Sequence, residues 1–347
     1  MPLGSLMIGL SGPELSAVDR EQLCHPAVGG VILFTRNYHS PEQLTALNQT
    51  IHGLREPRLL IAVDHEGGRV QRFRDGFTLL PAARQIGLAW SQDPSAARRL
   101  AHQLGWMLAA ELRAVGVDFS FAPILDLDYA QSHVIGDRAF HRNPDVVTEL
   151  AAACMQGMDS AGMIAVGKHF PGHGSVSVDS HLELPIDRRR YADLLMDDMR
   201  PFERLIHYGI AALMPAHIVY PHIDAAPAGF SRRWIHDILR SELGFQGAII
   251  SDDLDMAGAA WAGGPIERAQ QALGAGCDLA LICNNFAAID TVLEHFNPPL
   301  DPVSQSRRSR LHGRNRHASL RQLQTTRDWQ SINRKLLKAC ESIDNTP

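Results

Sequence analysis

A chain of 347 residues, 45% apolar and 20% charged, can bury a large core and has room for one barrel with additions or two smaller domains. Its net charge of −5 is spread along the chain, which argues against nucleic acid as the main ligand because phosphate recognition needs a concentrated basic face. No apolar run reaches transmembrane length, and Met1-Pro2-Leu3-Gly4-Ser5-Leu6 lacks the basic-then-apolar layout of a secretory leader, so a cytoplasmic protein without membrane contact is expected.

Short apolar runs alternate with helical stretches along the chain. The strand candidates are Leu6 to Leu10, Gly30 to Phe34, Leu59 to Val63, Val117 to Phe121, Met163 to Gly167, Ala211 to Met214, Ala248 to Ile250 and Leu279 to Ile282. Helix starts are marked by Ser40-Pro41-Glu42-Gln43, Asp93-Pro94 and Asn143-Pro144, each a capping side chain followed by proline at the first helical position. Ala101, Leu104, Leu108, Leu112 and Val115 then recur at helical spacing. Eight strands alternating with helices predict an α/β fold, a single-domain (β/α)8 TIM-type barrel rather than an open doubly wound sheet. The absence of Gly-x-Gly-x-x-Gly after the first strand removes the usual dinucleotide signature.

The strand pattern stops at Asn297-Pro298-Pro299, so residues 1–297 are read as the barrel and 298–347 as a helical or partly disordered C-terminal extension. Arg307, Arg308, Arg310, Arg314 and Arg316 read there as a solvated helix or loop, with an anion-binding patch as the alternative. Five widely spaced cysteines without a Cys-x-x-Cys pair suit reduced thiols better than disulfides or a zinc ribbon.

Polar residues gather just after the predicted strands: Asp64, then Asp126 and Asp128, Lys168 and His169, His217, Asp252 and Asp253, and Asn284 and Asn285. On a barrel these ends meet at one mouth. Asp64 could cap a helix or pair with Arg69 or Arg72, yet Gly67 and Gly68 beside it allow close backbone approach to a ligand. Arg138 could pair with Asp137 or reach a ligand. Asp253 or Asp255 could serve the N-terminus of a following helix, which leaves Asp252 for chemistry.

The run Lys168-His169-Phe170-Pro171-Gly172-His173-Gly174, with Asp179-Ser180-His181 downstream, cannot be a regular helix. One reading is a metal site of His169, His173, Asp179 and His181, although Pro171-Gly172 forbids the helical spacing that such ligands usually have. The other is a dyad in which Asp179 accepts the His181 Nδ1–H and leaves Nε2 to move a proton, with His173 packing the loop.

Taken together, Lys168 to Gly174 with Asp179-Ser180-His181, Asp64-x-Glu66-Gly67-Gly68-Arg69-Val70-x-Arg72, and Ser251-Asp252-Asp253-Leu254-x-Met256 resemble the family 3 glycoside hydrolases. More narrowly they are similar to the single-domain bacterial β-N-acetylglucosaminidases of peptidoglycan recycling, in order from about Gly4 to Asn285. The resemblance implies a retaining hydrolase that removes terminal non-reducing β-linked GlcNAc from GlcNAc-1,6-anhydro-MurNAc, with or without peptide. It assigns Asp252 as nucleophile, His181 as general acid/base, Asp179 as the residue that orients His181, and Asp64, Arg72, Arg138, Lys168 and His169 as sugar contacts. It implies no cofactor, no metal and no obligate protein partner; the substrates are small saccharides and muropeptides. His65 stands where the family pattern has Gln, and a single-domain member without the larger members' second domain after Asn285 is expected.

Overall fold

The computed structural model describes residues 2–180, 183–297, 301–314 and 319–341. Its strands in chain order are β1 (Leu6–Gly9), β2 (Val28–Leu33), β3 (Leu60–Val63), β4 (His65–Gly67), β5 (Val70–Gln71), β6 (Phe119–Ser120), β7 (Val166–Phe170), β8 (Ala212–Pro215), β9 (Val219–Tyr220), β10 (Asp224–Pro227), β11 (Ala248–Asp253) and β12 (Leu279–Ile282). Eight of them form one parallel sheet in the order β6-β3-β2-β1-β12-β11-β8-β7. The two ends of that sheet meet: Ile124 bridges Lys168, Val166 N donates to Ala122 O and Leu125 N to Lys168 O, each at 2.8 Å. The result is the (β/α)8 barrel expected from the strand count. Its strands are buried on both faces, inside by one another and outside by helices, which is why they read as unbroken apolar runs.

Each of the eight expected strands is present. The fifth is shifted, because Lys168 and Phe170 pair with Met214 and Pro215 and the strand runs on through the first half of the histidine-rich motif. Lys168 and His169 therefore sit in a strand rather than after it, and β11 likewise extends to Asp253.

The helices that clothe the sheet are α1 (Ala17–Cys24), α2 (Pro41–His52), α3 (Ala83–Trp90), α4 (Pro94–Ala114), α5 (Pro144–Ser160), α6 (Tyr191–Met196), α7 (Met199–His207), α8 (Pro265–Ala275) and α9 (Phe286–His295). Ser40, Asp93 and Asn143 cap α2, α4 and α5 by accepting from Gln43 N, from Ser95 N and Ala96 N, and from Asp145 N. The periodic side chains Ala101, Leu104, Leu108 and Leu112 are all buried on α4. α10 (Pro302–Ser309), α11 (Leu320–Gln324) and α12 (Arg327–Glu341) follow, and α11 and α12 both pack on α4.

Charged side chains close the barrel's floor, where the strands begin. Asp118, fully buried just before β6, accepts from Ile61 N and Gly313 N at 3.0 Å and from Arg58 at 2.9 Å, with Arg113 and His52 at 3.3 Å. Asp278, just before β12, binds Ile249 N, Arg240 and Arg307. Arg308 is buried and donates to the Asp278 and Leu3 carbonyls, so this part of the arginine run ties the chain's two ends to the floor instead of facing solvent. Arg316 lies outside the described residues.

Candidate active site

The opposite end of the barrel opens into a cavity of about 450 Å³. Asp64, Arg72, Arg138, Lys168, His169, Asp179 and Asp252 all line it, although they come from five separate segments of the chain. His181 and Leu182 lie outside the described residues.

Asp64 leaves β3 and is followed at once by the β4–β5 hairpin. The turn between these strands needs glycine: Gly67 has φ +114° and Gly68 φ +55°, and a Cβ on Gly67 would stand 2.5 Å from the Pro81 carbonyl oxygen. This fold-back brings Asp64, Glu66 and Arg72 to one side of the mouth. Lys168 Nζ lies 2.8 Å from Asp64 Oδ1 and 2.7 Å from Glu66 Oε1, while Arg138 grips Glu66 with two hydrogen bonds of 2.8 and 2.9 Å. Arg72 lies 3.8 Å from Asp64 Oδ2. Burial opposes charge on Lys168, but the Asp64 and Glu66 carboxylates outweigh it and raise the ammonium pKa. Glu66 is held ionised, well below the usual carboxylate range, by Arg138 and Lys168 against the cost of its burial. Arg138 therefore does not pair with Asp137, whose partner is Arg69.

His169 is fixed by Asp126, which lies 2.7 Å from its Nδ1 and accepts its backbone N–H at 3.1 Å. The same carboxylate accepts the His173 N–H at 2.7 Å, and His173 Nε2 lies 3.0 Å from Ser180 Oγ. His173 packs the loop as expected but also lines the cavity; burial and the neighbouring His169 push its pKa down to about 4. The alternative metal set of His169, His173, Asp179 and His181 includes a residue outside the described ones; among the described residues no group of three His, Cys, Asp or Glu side chains is placed to hold a metal ion. The loop is anchored further on, where Gly258 N donates to Ser180 O at 3.0 Å.

The adjacent carboxyls at the end of β11 are set apart by their surroundings. Burial alone would raise Asp252, but His169, the Asp253 N–H at 2.9 Å and Lys168 hold its carboxyl below the ordinary value. Asp253 is pushed up to about 7 by burial and by the charges of Asp255 and Asp252. Both carboxyls line the cavity, so what separates them there is charge state rather than access. Asp255 accepts the N–H groups of Cys283, Asn284 and Asn285, so it serves the entry to α9 rather than a helix of its own segment. His217 stacks on Phe230 at 5.1 Å, with its Nε2 3.2 Å from the Asp253 carbonyl oxygen.

Glu66 and Asp126 are the site residues that sequence reasoning passed over as anchors. Both stood in view, Glu66 inside the Asp-x-Glu-Gly-Gly motif and Asp126 after the fourth strand, yet their partners are 72 and 43 residues away in sequence.

A (β/α)8 barrel with acids gathered at its strand ends has the layout of an enzyme active site, and the family match makes it a glycoside hydrolase. The model of the glycosyl hydrolase family 3 N-terminal domain matches residues 5–307, and the chain belongs to that family. It is a β-N-acetylhexosaminidase. A β-hexosaminidase of Nitrosospira multiformis is 54% identical over 97% of this chain and 96% of its own, and one of Thiobacillus denitrificans 56% identical over 92% and 89%. The crystal structure of NagZ from Neisseria gonorrhoeae in complex with N-trifluoroacetyl-D-glucosamine is 44% identical, covers 98% of this chain and 99% of its own, and superposes with a TM-score of 0.93.

Proposed function

We propose that the protein is a retaining exo-β-N-acetylglucosaminidase that removes terminal non-reducing β-linked GlcNAc from GlcNAc-1,6-anhydro-MurNAc, with or without its peptide, in cytoplasmic cell-wall recycling. The observation that carries this reading is the cavity itself, where Asp252, its carboxyl held below the ordinary value, shares one space with Asp179, Asp64, Lys168 and Arg138, the last two held from behind by Glu66. The N-trifluoroacetyl-glucosamine bound by the gonococcal relative supports the choice of sugar.

In the first step the Asp252 carboxylate attacks the anomeric carbon while His181, oriented by Asp179, gives its Nε2 proton to the departing glycosidic oxygen. In the second, His181 takes a proton from water, the hydroxide displaces Asp252, and the configuration is retained. Asp64 accepts bonds from sugar hydroxyls, and Arg72, Arg138, Lys168 and His169 donate to sugar oxygens; Arg138 and Lys168 are already held in place by Glu66, which limits the ordering cost on binding.

The test is hydrolysis of a series of aryl β-GlcNAc substrates and of the anhydro-muropeptide by wild type, His181→Ala and Asp179→Asn. His181→Ala is expected to slow poor leaving groups far more than dinitrophenol, to accumulate the glycosyl-enzyme, and to be rescued by azide; Asp179→Asn acts in the same direction. Equal losses across leaving groups without a trapped intermediate would overturn the dyad, and failure to turn over the muropeptide would overturn the substrate.

A further inference from the structure

Beyond the stretch matched by the family model, α11 and α12 reach the rear of the loop that carries Arg72. Trp329 Nε1 on α12 donates to Glu111 Oε1 at 2.8 Å. Glu111, buried on α4, passes this contact on: it accepts the Thr78 N–H at 2.9 Å and the Thr78 hydroxyl at 2.8 Å. Gln324, at the end of α11, donates to the Gly76 carbonyl at 2.9 Å.

Inside the loop, the buried Gln71 side chain closes the turn around Arg72. Its amide donates to the Phe73 carbonyl at 3.0 Å and the Thr78 carbonyl at 2.8 Å, and its oxygen accepts Leu80 N–H at 3.0 Å. Thr78 is thus the meeting point of two sets of bonds, one from the C-terminal helices through Glu111 and one from the residue next to Arg72. Tyr38, Phe73 and Phe77 already bury the loop by ring contacts, with centroids 5.0 to 5.8 Å apart. The directional contacts from Glu111 and Gln71 therefore fix orientation more than they add burial.

We propose that Trp329 and Glu111 are positioning residues for Arg72, so that the C-terminal helices set the geometry of the sugar-binding side of the mouth. The proposal rests on the reading of Arg72 as a sugar contact. Neither residue touches the cavity; both act through Thr78 and Gln71.

The experiment is a double-substitution cycle on the full chain, with p-nitrophenyl β-GlcNAc as substrate and thermal melting as control. Trp329→Phe keeps a ring and removes the N–H donor; it is expected to raise KM about fivefold with kcat within about twofold. In the Arg72→Ala background the same change is expected to move KM by less than about twofold, because the contact it directs has gone. Equal KM losses in both backgrounds, or a lowered Tm with KM unchanged, would overturn the proposal while leaving the Arg72 assignment standing. If Arg72→Ala alone leaves KM and kcat unchanged, the Arg72 reading fails and this proposal with it. Gln324→Ala, which removes the Gly76 contact at an exposed end, runs the same cycle with the same expected sign should Trp329→Phe fail to fold.

Discussion

The floor and the mouth of the barrel are both built on buried or half-buried aspartates, and they treat them in opposite ways. At the floor, Asp118 is surrounded by two backbone N–H groups, two guanidiniums and the imidazoles of His52 and His312. At the mouth, Asp252 receives one backbone N–H and Asp64 one ammonium at hydrogen-bond distance, and both face open space. A carboxylate whose lone pairs are filled by protein donors contributes to stability, whereas one left with free lone pairs costs stability and is available to a ligand.

The largest effect is expected where the mouth is cut. Asp252→Ala should lower kcat by at least about 1,000-fold with Tm unchanged or raised, since a buried carboxylate is removed. A 5-fluoro glycoside should label Asp252 in the wild type, and labelling of Asp253 or Asp255 would show that a neighbouring carboxylate is the nucleophile.

The reverse cut at the floor should do the opposite. Asp118→Ala strands Arg113 without its buried partner, so a loss of about 3–5 kcal/mol in denaturant unfolding is expected, with KM of the folded fraction unchanged. A change in KM at constant stability would erase the division between the two ends. Asp118 also gives the sign of the acid response: its folded pKa lies below the unfolded value, so its stabilisation is present above about pH 4 and is lost as pH falls towards the folded value.

Asp64→Ala removes an acceptor whose bonds tighten as the sugar ring distorts, and kcat/KM should fall by about 100-fold. Unchanged kinetics would return Asp64 to an ion-pairing role with Lys168.

The smallest effect concerns His65. It is buried among Phe73 and Phe77, and burial with the Arg72 and Arg74 charges pushes its pKa down to about 3. Because the unfolded chain binds this proton near pH 6.5, stability should fall as pH drops below that value, by about 2 kcal/mol from this group at pH 5. His65→Gln should flatten that part of the Tm-against-pH curve, and an unchanged curve would place the acid sensitivity in His173.

The barrel was legible in the sequence because a parallel strand covered on both faces is written as a continuous apolar run, and because Ser40, Asp93 and Asn143 announce their helices locally. The anchors of the site were less legible, because their meaning depends on distant partners. Lys168 inside a buried strand makes sense only beside Asp64 and Glu66, 104 and 102 positions earlier in the chain. Arg138 reads as Asp137's neighbour until the hairpin turn delivers Glu66. Arg308 reads as solvated until the floor supplies the carbonyls of Leu3 and Asp278. Residue type and strand end singled out side chains that share the mouth, while pairing across the barrel became visible only once the sheet closed.

The place of closure gives the barrel an uneven capacity to breathe. β2 and β3 run four residue pairs in register, whereas β6 has two residues and the seam to β7 is held by one bridge and two backbone bonds. Amide protons on Leu125 and Val166 should accordingly exchange with solvent deuterium ahead of those in β2. The ion pairs Lys168–Asp64 and Lys168–Glu66 lie across this same seam, like stitches over a join. A sugar that binds Asp64 and Lys168 together spans the join itself, so its arrival should be recorded as slowed exchange at Leu125 and Val166, a signature of occupancy readable without any turnover.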